Sequence, residues 1–247
     1  MDNPRMLSTV GAETLRRIAT MPRFNRWLAE LMGRYVAGKR VIEVGCGIGT
    51  LTELLAPSAR AVLCLDLDPA YVDLVRSQYE RDAKVRVIQA DAADASWVAP
   101  EVERWDVVVC CNVLEHVADD RQALATMNSA LVAGGCLILY VPALPWLYGS
   151  LDLHLGHYRR YDHSCLVAQL REAGFDVIES RWVNLFGIAG WFLNGKVLRR
   201  TVLPARQLRV YDRLCRVFRA LEEWIGPPIG QSLFVVSVKR AAGADQR

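Results

Sequence analysis

An apolar run, Val41-Ile42-Glu43-Val44, breaks into three alternating glycines, Gly45-Cys46-Gly47-Ile48-Gly49. A second apolar run over 61–65 then delivers Asp66, 21 positions after Gly45. A strand ending in a glycine-rich turn, followed by a strand ending in an acid, is how a parallel sheet holds a nucleoside at its edge. The glycines let the backbone turn tightly and approach a ligand. The carboxylate offers two acceptor oxygens to two adjacent ribose hydroxyls.

The glycine spacing selects among nucleosides. Dinucleotide turns follow G-x-G-x-x-G and seat a pyrophosphate on a helix N-terminus. Here the spacing is G-x-G-x-G, and Glu43 stands two residues ahead of Gly45. A carboxylate that close repels a pyrophosphate and suits a ligand carrying an ammonium or sulfonium. The pattern E-x-G-x-G-x-G resembles the first motif of the class I S-adenosylmethionine (SAM) methyltransferases.

Composition sets outer bounds. A chain of 247 residues suits one domain with a substantial core, read here as a single unit over 1–247. With 52% hydrophobic and 23% charged residues it is globular, and its net charge of +3 does not argue for nucleic acid. Seven cysteines form no C-x-x-C pair and fall largely in apolar runs, which predicts reduced, buried thiols and no metal site. The segment Met1–Arg5 has no secretory h-region, so a cytoplasmic location is expected. The longest apolar stretch, 183–193, is too short to span a bilayer.

Short apolar, β-branched runs predict strands over 40–44, 61–65, 84–89, 106–111 and 136–141, with helices over 50–56, 70–80 and 119–131 between them. This alternation predicts an α/β fold with a doubly wound, mostly parallel, Rossmann-like sheet. Residues 1–38 are expected to form an N-terminal helical cap, with Phe24, Trp27, Leu28, Leu31 and Met32 at helical spacing, and 39–183 the cofactor-binding core. Residues 143–161 read as a loop. A helix follows over 164–173, capped by His163-Ser164, then a strand over 175–183. A helical cap insertion over 184–231 precedes the last strand, within 232–240.

The resemblance to class I methyltransferases extends along the core. Asp66 in Cys64-Leu65-Asp66-Leu67-Asp68-Pro69 is similar to the acid that binds the ribose, while Asp68 reads as a helix N-cap. Gln89-Ala90-Asp91-Ala92 resembles the segment whose Asp receives the adenine amino group. The run Asp106 to Val117, with Asn112 and Leu114-Glu115-His116, resembles the fourth motif and implies Asn112 beside the methionine part of SAM. Leu131–Gly135 matches the L-x-P-G-G turn with Ala133 in place of Pro. The resemblance implies a seven-stranded sheet with an antiparallel last strand. It also implies SAM, released as S-adenosylhomocysteine, held by Glu43, Gly45, Cys46, Gly47, Gly49, Asp66, Leu67, Asp91, Ala92 and Asn112.

Methyl transfer is an in-line displacement, and a hydroxyl or ammonium acceptor must also lose a proton. His116 is one candidate base. The segment Gly156-His157-Tyr158-Arg159-Arg160-Tyr161 is the other candidate. It resembles a G-H-x-R-R-Y signature associated with polysaccharide and natural-product methyltransferases, and it follows the fifth strand, where relatives place an acceptor-facing loop. His157 is expected to take a proton, Arg160 to grip an anionic acceptor and Tyr161 to line the pocket; the alternative is arginines paired only with Asp152 and Asp162.

Over 184–220 eight basic residues stand against Asp212 alone. Leu208, Tyr211, Leu214, Phe218 and Leu221 recur at helical spacing opposite Arg206, Arg209, Arg213 and Arg216. This predicts a basic amphipathic helix: either a cap with a solvated face, or a surface that meets a lipid-linked acceptor at a membrane. The reading is therefore a SAM-dependent methyltransferase acting on a small, lipid-linked or sugar-like acceptor, by preference on oxygen. An NAD-dependent oxidoreductase and a non-catalytic SAM-binding module are the alternatives.

Overall fold

The computed structural model of the protein describes residues 9–98 and 105–241, so the first eight residues of the expected N-terminal cap and the last six of the chain lie outside the described residues. Strands β1 (Arg40–Val44), β2 (Ala61–Asp66), β3 (Val85–Gln89), β4 (Trp105–Cys111), β5 (Leu131–Pro142), β6 (Phe175–Val183) and β7 (Ser232–Lys239) form one sheet in the order β3-β2-β1-β4-β5-β7-β6. The first five run parallel, and β7 is antiparallel to both β5 and β6. This is the expected seven-stranded topology. The strand order reverses between β1 and β4, and ligands bind at the carboxyl ends of strands beside such a reversal.

The helices are α1 (Thr9–Ala19), α2 (Pro22–Val36), α3 (Thr50–Leu55), α4 (Pro69–Gln78), α5 (Asp120–Ala130), α6 (Ser150–Leu155), α7 (His163–Glu172), α8 (Gly187–Trp191) and α9 (Ala205–Ile225), with α8 running on into a π-helical turn, Phe192–Val197. The apolar faces of the strands are covered on both sides. One cluster packs Leu124 and Met127 of α5 and Leu166 and Leu170 of α7 against Ile42, Val108 and Leu139. The other packs Trp27, Leu28 and Met32 of α2 against Val41, Val62, Val109 and Tyr140. The predicted α2 residues are therefore part of the sheet's own covering layer, not only a cap.

Several local expectations change. The stretch 143–161 is not a plain loop, because α6 forms inside it. Gly156 ends that helix in the left-handed region at φ 79°, and the Asp152 carboxylate accepts from Gly149 N at 2.9 Å. Asp162, rather than His163-Ser164, caps α7, its carboxylate accepting from Ser164 N and Cys165 N. Asp68 caps α4 as expected. The Gly134-Gly135 turn lies within β5 as a bulge, between the pairs Trp105↔Leu131 and Val107↔Cys136.

The α9 helix is rotated relative to its sequence reading. Its inward residues are Leu208, Asp212, Cys215 and Glu222, whereas Leu214 and Leu221 are exposed. Two acids are buried because they supply acceptors to other segments. Asp212 Oδ1 accepts from Arg23 N and Phe24 N at the start of α2, and Glu222 accepts from Asn184 N and Leu185 N. Buried N–H groups at a helix start need such partners.

Candidate active site

The glycine loop joins β1 to α3. Gly45 takes φ 74°, and a Cβ there would stand 2.2 Å from Val113 Cγ2, so only glycine lets this turn close on the segment after β4. Gly45 N and Cys46 N donate to Leu65 O, and Gly47 N donates to Asp66 Oδ2 at 2.7 Å. Asp66 Oδ1 accepts from Asp68 N at 3.0 Å. Each carboxylate oxygen keeps further accepting capacity, which is what two ribose hydroxyls require. Burial raises the Asp66 pKa, against backbone hydrogen bonds that lower it. Leu67, Asp91 and Asn112 are exposed just past the ends of β2, β3 and β4, at the same carboxyl edge as the glycine loop, whereas Cys46 and Ala92 are buried. Asn112 sits in the left-handed region at φ 53°, its N–H held by Tyr140 O. Leu15 of α1 covers the loop, 3.6 Å from where a Gly47 Cβ would be.

Glu43 is not exposed at this edge. It is buried, and its Oε2 accepts from Thr52 Oγ1 at 2.6 Å, so it braces the loop against α3 from below. Burial pushes its pKa up to about 7.

The second half of the site lies at the ends of β4 and β5. Tyr158 N donates to Glu115 O, and Tyr161 N to Pro142 O, which lays the 156–161 segment over the turn after β4. The His116 and His157 rings meet edge to face at 4.7 Å, although the sequence keeps them far apart. His157 Nδ1 lies 3.0 Å from Asp152 Oδ1, which leaves Nε2 on the cluster side. Burial, and then the charge of His157, pull the His116 pKa down to about 3. Glu115 is buried, and burial pushes its carboxyl up to about 7.

Arg160 and Tyr161 are buried and engaged mainly within the protein, with Arg160 Nη2 left unpartnered among the described residues. Arg160 Nε donates to Asp152 Oδ1 at 2.7 Å, Nη1 donates to Ala143 O, and the guanidinium stacks over Trp191. Tyr161 is buried and donates its hydroxyl to Asp120 Oδ2, which Arg159 also pairs at 2.7 Å. The expected Asp152 partner of Arg160 is present; Asp162 is occupied as the α7 cap instead. The Glu115 contribution had no spacing signal beyond its adjacency to His116.

Glu43 and Glu115 both hold protons up to about pH 7 in the fold, whereas an unfolded glutamate releases its proton near its ordinary 4.5. Between those values the two glutamates bind more protons in the folded chain and lower stability as pH rises, while His116, held near 3 against its ordinary 6.5, opposes them. Glu43→Gln keeps the acceptor for Thr52 and removes one of the two glutamate contributions. Relative to the wild type, the variant will therefore gain stability as pH rises across that window, read as the difference between the two urea midpoints.

A model of the methyltransferase domain family matches residues 15–180. The protein named "Probable S-adenosylmethionine-dependent methyltransferase" from Mycolicibacterium smegmatis is 34% identical over 182 residues, covering 70% of this chain and 67% of that one. The ubiquinone biosynthesis O-methyltransferase of Leptothrix cholodnii is 28% identical over 113 residues, covering 46% of this chain and 48% of the relative, so the chain matches about half the length of that enzyme. Among solved structures, Haemonchus contortus phosphoethanolamine N-methyltransferase 2 in complex with SAM superposes with a TM-score of 0.58 at 21% identity, over 88% of this chain and 53% of that one. With the E-x-G-x-G-x-G loop, Asp66 and the seven-stranded topology in place, these matches give the family: the chain belongs to the methyltransferase domain family and is a class I SAM-dependent methyltransferase.

Proposed function

We propose that the protein methylates a hydroxyl oxygen of a small or lipid-linked acceptor. The observation that carries this reading is the group formed by Glu115, His116 and the Asp152-oriented His157 at the end of β4, next to Asn112. An oxygen nucleophile must lose its proton, and this is where the chain concentrates groups able to manage one. The similarity to ubiquinone biosynthesis O-methyltransferases supports oxygen over nitrogen or carbon.

The residues fit SAM as follows. Asp66 takes the ribose hydroxyls, Asp91 and Ala92 border the adenine, and Gly45, Cys46, Gly47 and Gly49 let the backbone approach the amino-acid portion beside Asn112 and Leu67. Glu43 acts from beneath as a positioning residue. SAM supplies an electrophilic methyl group. Arg160 and Tyr161 hold the acceptor loop in shape, Arg160 through Asp152 and Tyr161 through Asp120.

The cap adds a second element to the proposal. Val210, Leu214, Val217, Leu221 and Trp224 are exposed along one stripe of α9, and the exposed Arg206, Arg209, Arg213 and Arg216 flank it. Their spacing is that of a continuous helical seam, and arginines beside an apolar stripe complement an anionic lipid surface. No helix among the described residues is long and apolar enough to cross a membrane. On this reading the stripe lies on a bilayer surface and brings the site near a lipid-linked acceptor.

Three outcomes test this. Asp66→Ala weakens SAM binding by calorimetry by about 100-fold, the scale of two lost hydrogen bonds to a charged acceptor, while the circular dichroism spectrum is kept. His157→Asn lowers the methylation of hydroxyl acceptors by about 100-fold or more without changing SAM affinity; full activity in the variant removes the cluster from the mechanism. The wild type co-sediments with phosphatidylglycerol vesicles and not with phosphatidylcholine vesicles, and Leu214→Glu with Trp224→Glu abolishes the difference.

A further inference from the structure

Glu115, His116 and His157 each offer one ligand atom, and these atoms lie within 4.8 Å of one another. Two imidazoles and one carboxylate are the donor set that holds zinc, iron or manganese with positions left over for a substrate oxygen. We propose that these three side chains form a binding site for one divalent transition-metal ion.

Four features of the surroundings support the assignment. First, Glu115 Oε2 is buried and has no hydrogen-bond partner among the described residues. A buried carboxyl oxygen without a partner is costly, and a cation beside it offsets that cost. Second, one imidazole is oriented from behind. His157 is held through Nδ1 by Asp152. Metal-binding histidines are fixed in this manner, one nitrogen on a carboxylate or carbonyl and the other on the ion. Third, Asp152 is itself immobilised by Gly149 N, Arg160 Nε and Trp191 Nε1. Fourth, Glu115 shares in no ion pair among the described residues: Arg160 pairs Asp152 and Arg159 pairs Asp120, and the Arg160 charge reaches Glu115 only at a distance.

The geometry needs little adjustment. At ligand distances of about 2.1 Å, tetrahedral donors are about 3.4 Å apart, so the three atoms close by about 1 Å or so through side-chain rotation. The rings already stand at 88° to each other without a hydrogen bond between them. The sequence reading expected no metal because the cysteines lack metal spacing; the donors here are the two histidines and a glutamate brought together by the 156–161 segment.

What the ion does there rests on the acceptor reading above, although its binding does not. An acceptor hydroxyl occupying a remaining position on the ion loses its proton to water, and its oxygen keeps the electron pair as an anion stabilised by the cation. His157 is then a ligand, not the base, and its neutral Nε2 is what the site uses.

The test begins with protein stripped by EDTA and titrated calorimetrically with zinc, and with cobalt monitored by visible absorption. The wild type takes up one ion per chain, with cobalt bands of a nitrogen- and oxygen-ligated centre. Glu115→Gln, which removes a buried charge and should fold, and His116→Gln each weaken binding by about 100-fold or more. Asp152→Asn weakens it by about tenfold, the scale of a lost supporting partner. The remaining two histidines are controls: His154→Gln and His163→Gln bind as the wild type does. Equal affinity in the wild type, Glu115→Gln and His116→Gln, or no uptake at millimolar zinc, overturns the site. If the ion binds at the cluster but no hydroxyl acceptor is methylated, the oxygen reading fails and the site stands. If ion-free protein methylates a hydroxyl at the full rate, the oxygen reading stands and the catalytic role of the ion is overturned.

Discussion

Asp152 is the interaction on which the acceptor side of this molecule depends. It is fully buried, yet it stays ionised. Burial alone would raise its pKa; the hydrogen bond from His157, the charge of Arg160, the Trp191 indole and the Gly149 N–H together hold it below the ordinary carboxylate range. These partners come from the start of α6, the 156–161 segment and α8. One carboxylate therefore binds the loop that covers the sheet to the cap that covers the loop. Arg160 extends the link to the end of β5 through Ala143 O. A buried charge network of this kind is rigid when fully satisfied, because losing any member leaves another unpaired.

The cofactor side rests on a different principle. There the backbone, not a side-chain network, does the positioning. Parallel strands place Gly45, Asp66 and Asn112 at one edge, and the register of β1 with β2 and β4 sets the spacing between them. The Gly45 contact with Val113 then couples the two halves, because the turn after β1 packs directly on the turn that leads into Glu115 and His116.

The cofactor half was readable in sequence because each of its parts is local. A glycine turn, an acid after a strand and a capping Asp68 are all set by residues within a few positions of one another. The acceptor half was readable only in part. His157, Arg160 and Tyr161 were recognisable as a segment, but whether Arg160 reaches an acceptor or Asp152 is decided by where α6 puts Asp152. The α9 helix shows the same limit. Its apolar periodicity predicts one inward face, whereas Asp212 and Glu222 turn inward because distant N–H groups at 23–24 and 184–185 need acceptors. Periodicity measures hydrophobic burial and carries no record of a backbone donor brought in from elsewhere in the chain.

The position of β7 has a consequence for how the chain is made. It is the last strand in chain order, but it lies between β5 and β6 and supplies every hydrogen-bonded neighbour β6 has within the sheet. Lys239, at its end, also donates to Asn128 O and Leu131 O, closing off α5. During synthesis on the ribosome, β5 has an open edge and β6 has no sheet to join until residues 232–239 emerge from the exit tunnel. The nascent chain thus carries an unpaired β5 edge from residue 142 onward, joined by an unpaired β6 from residue 183, until β7 is available, the state most exposed to mispairing and to chaperone capture.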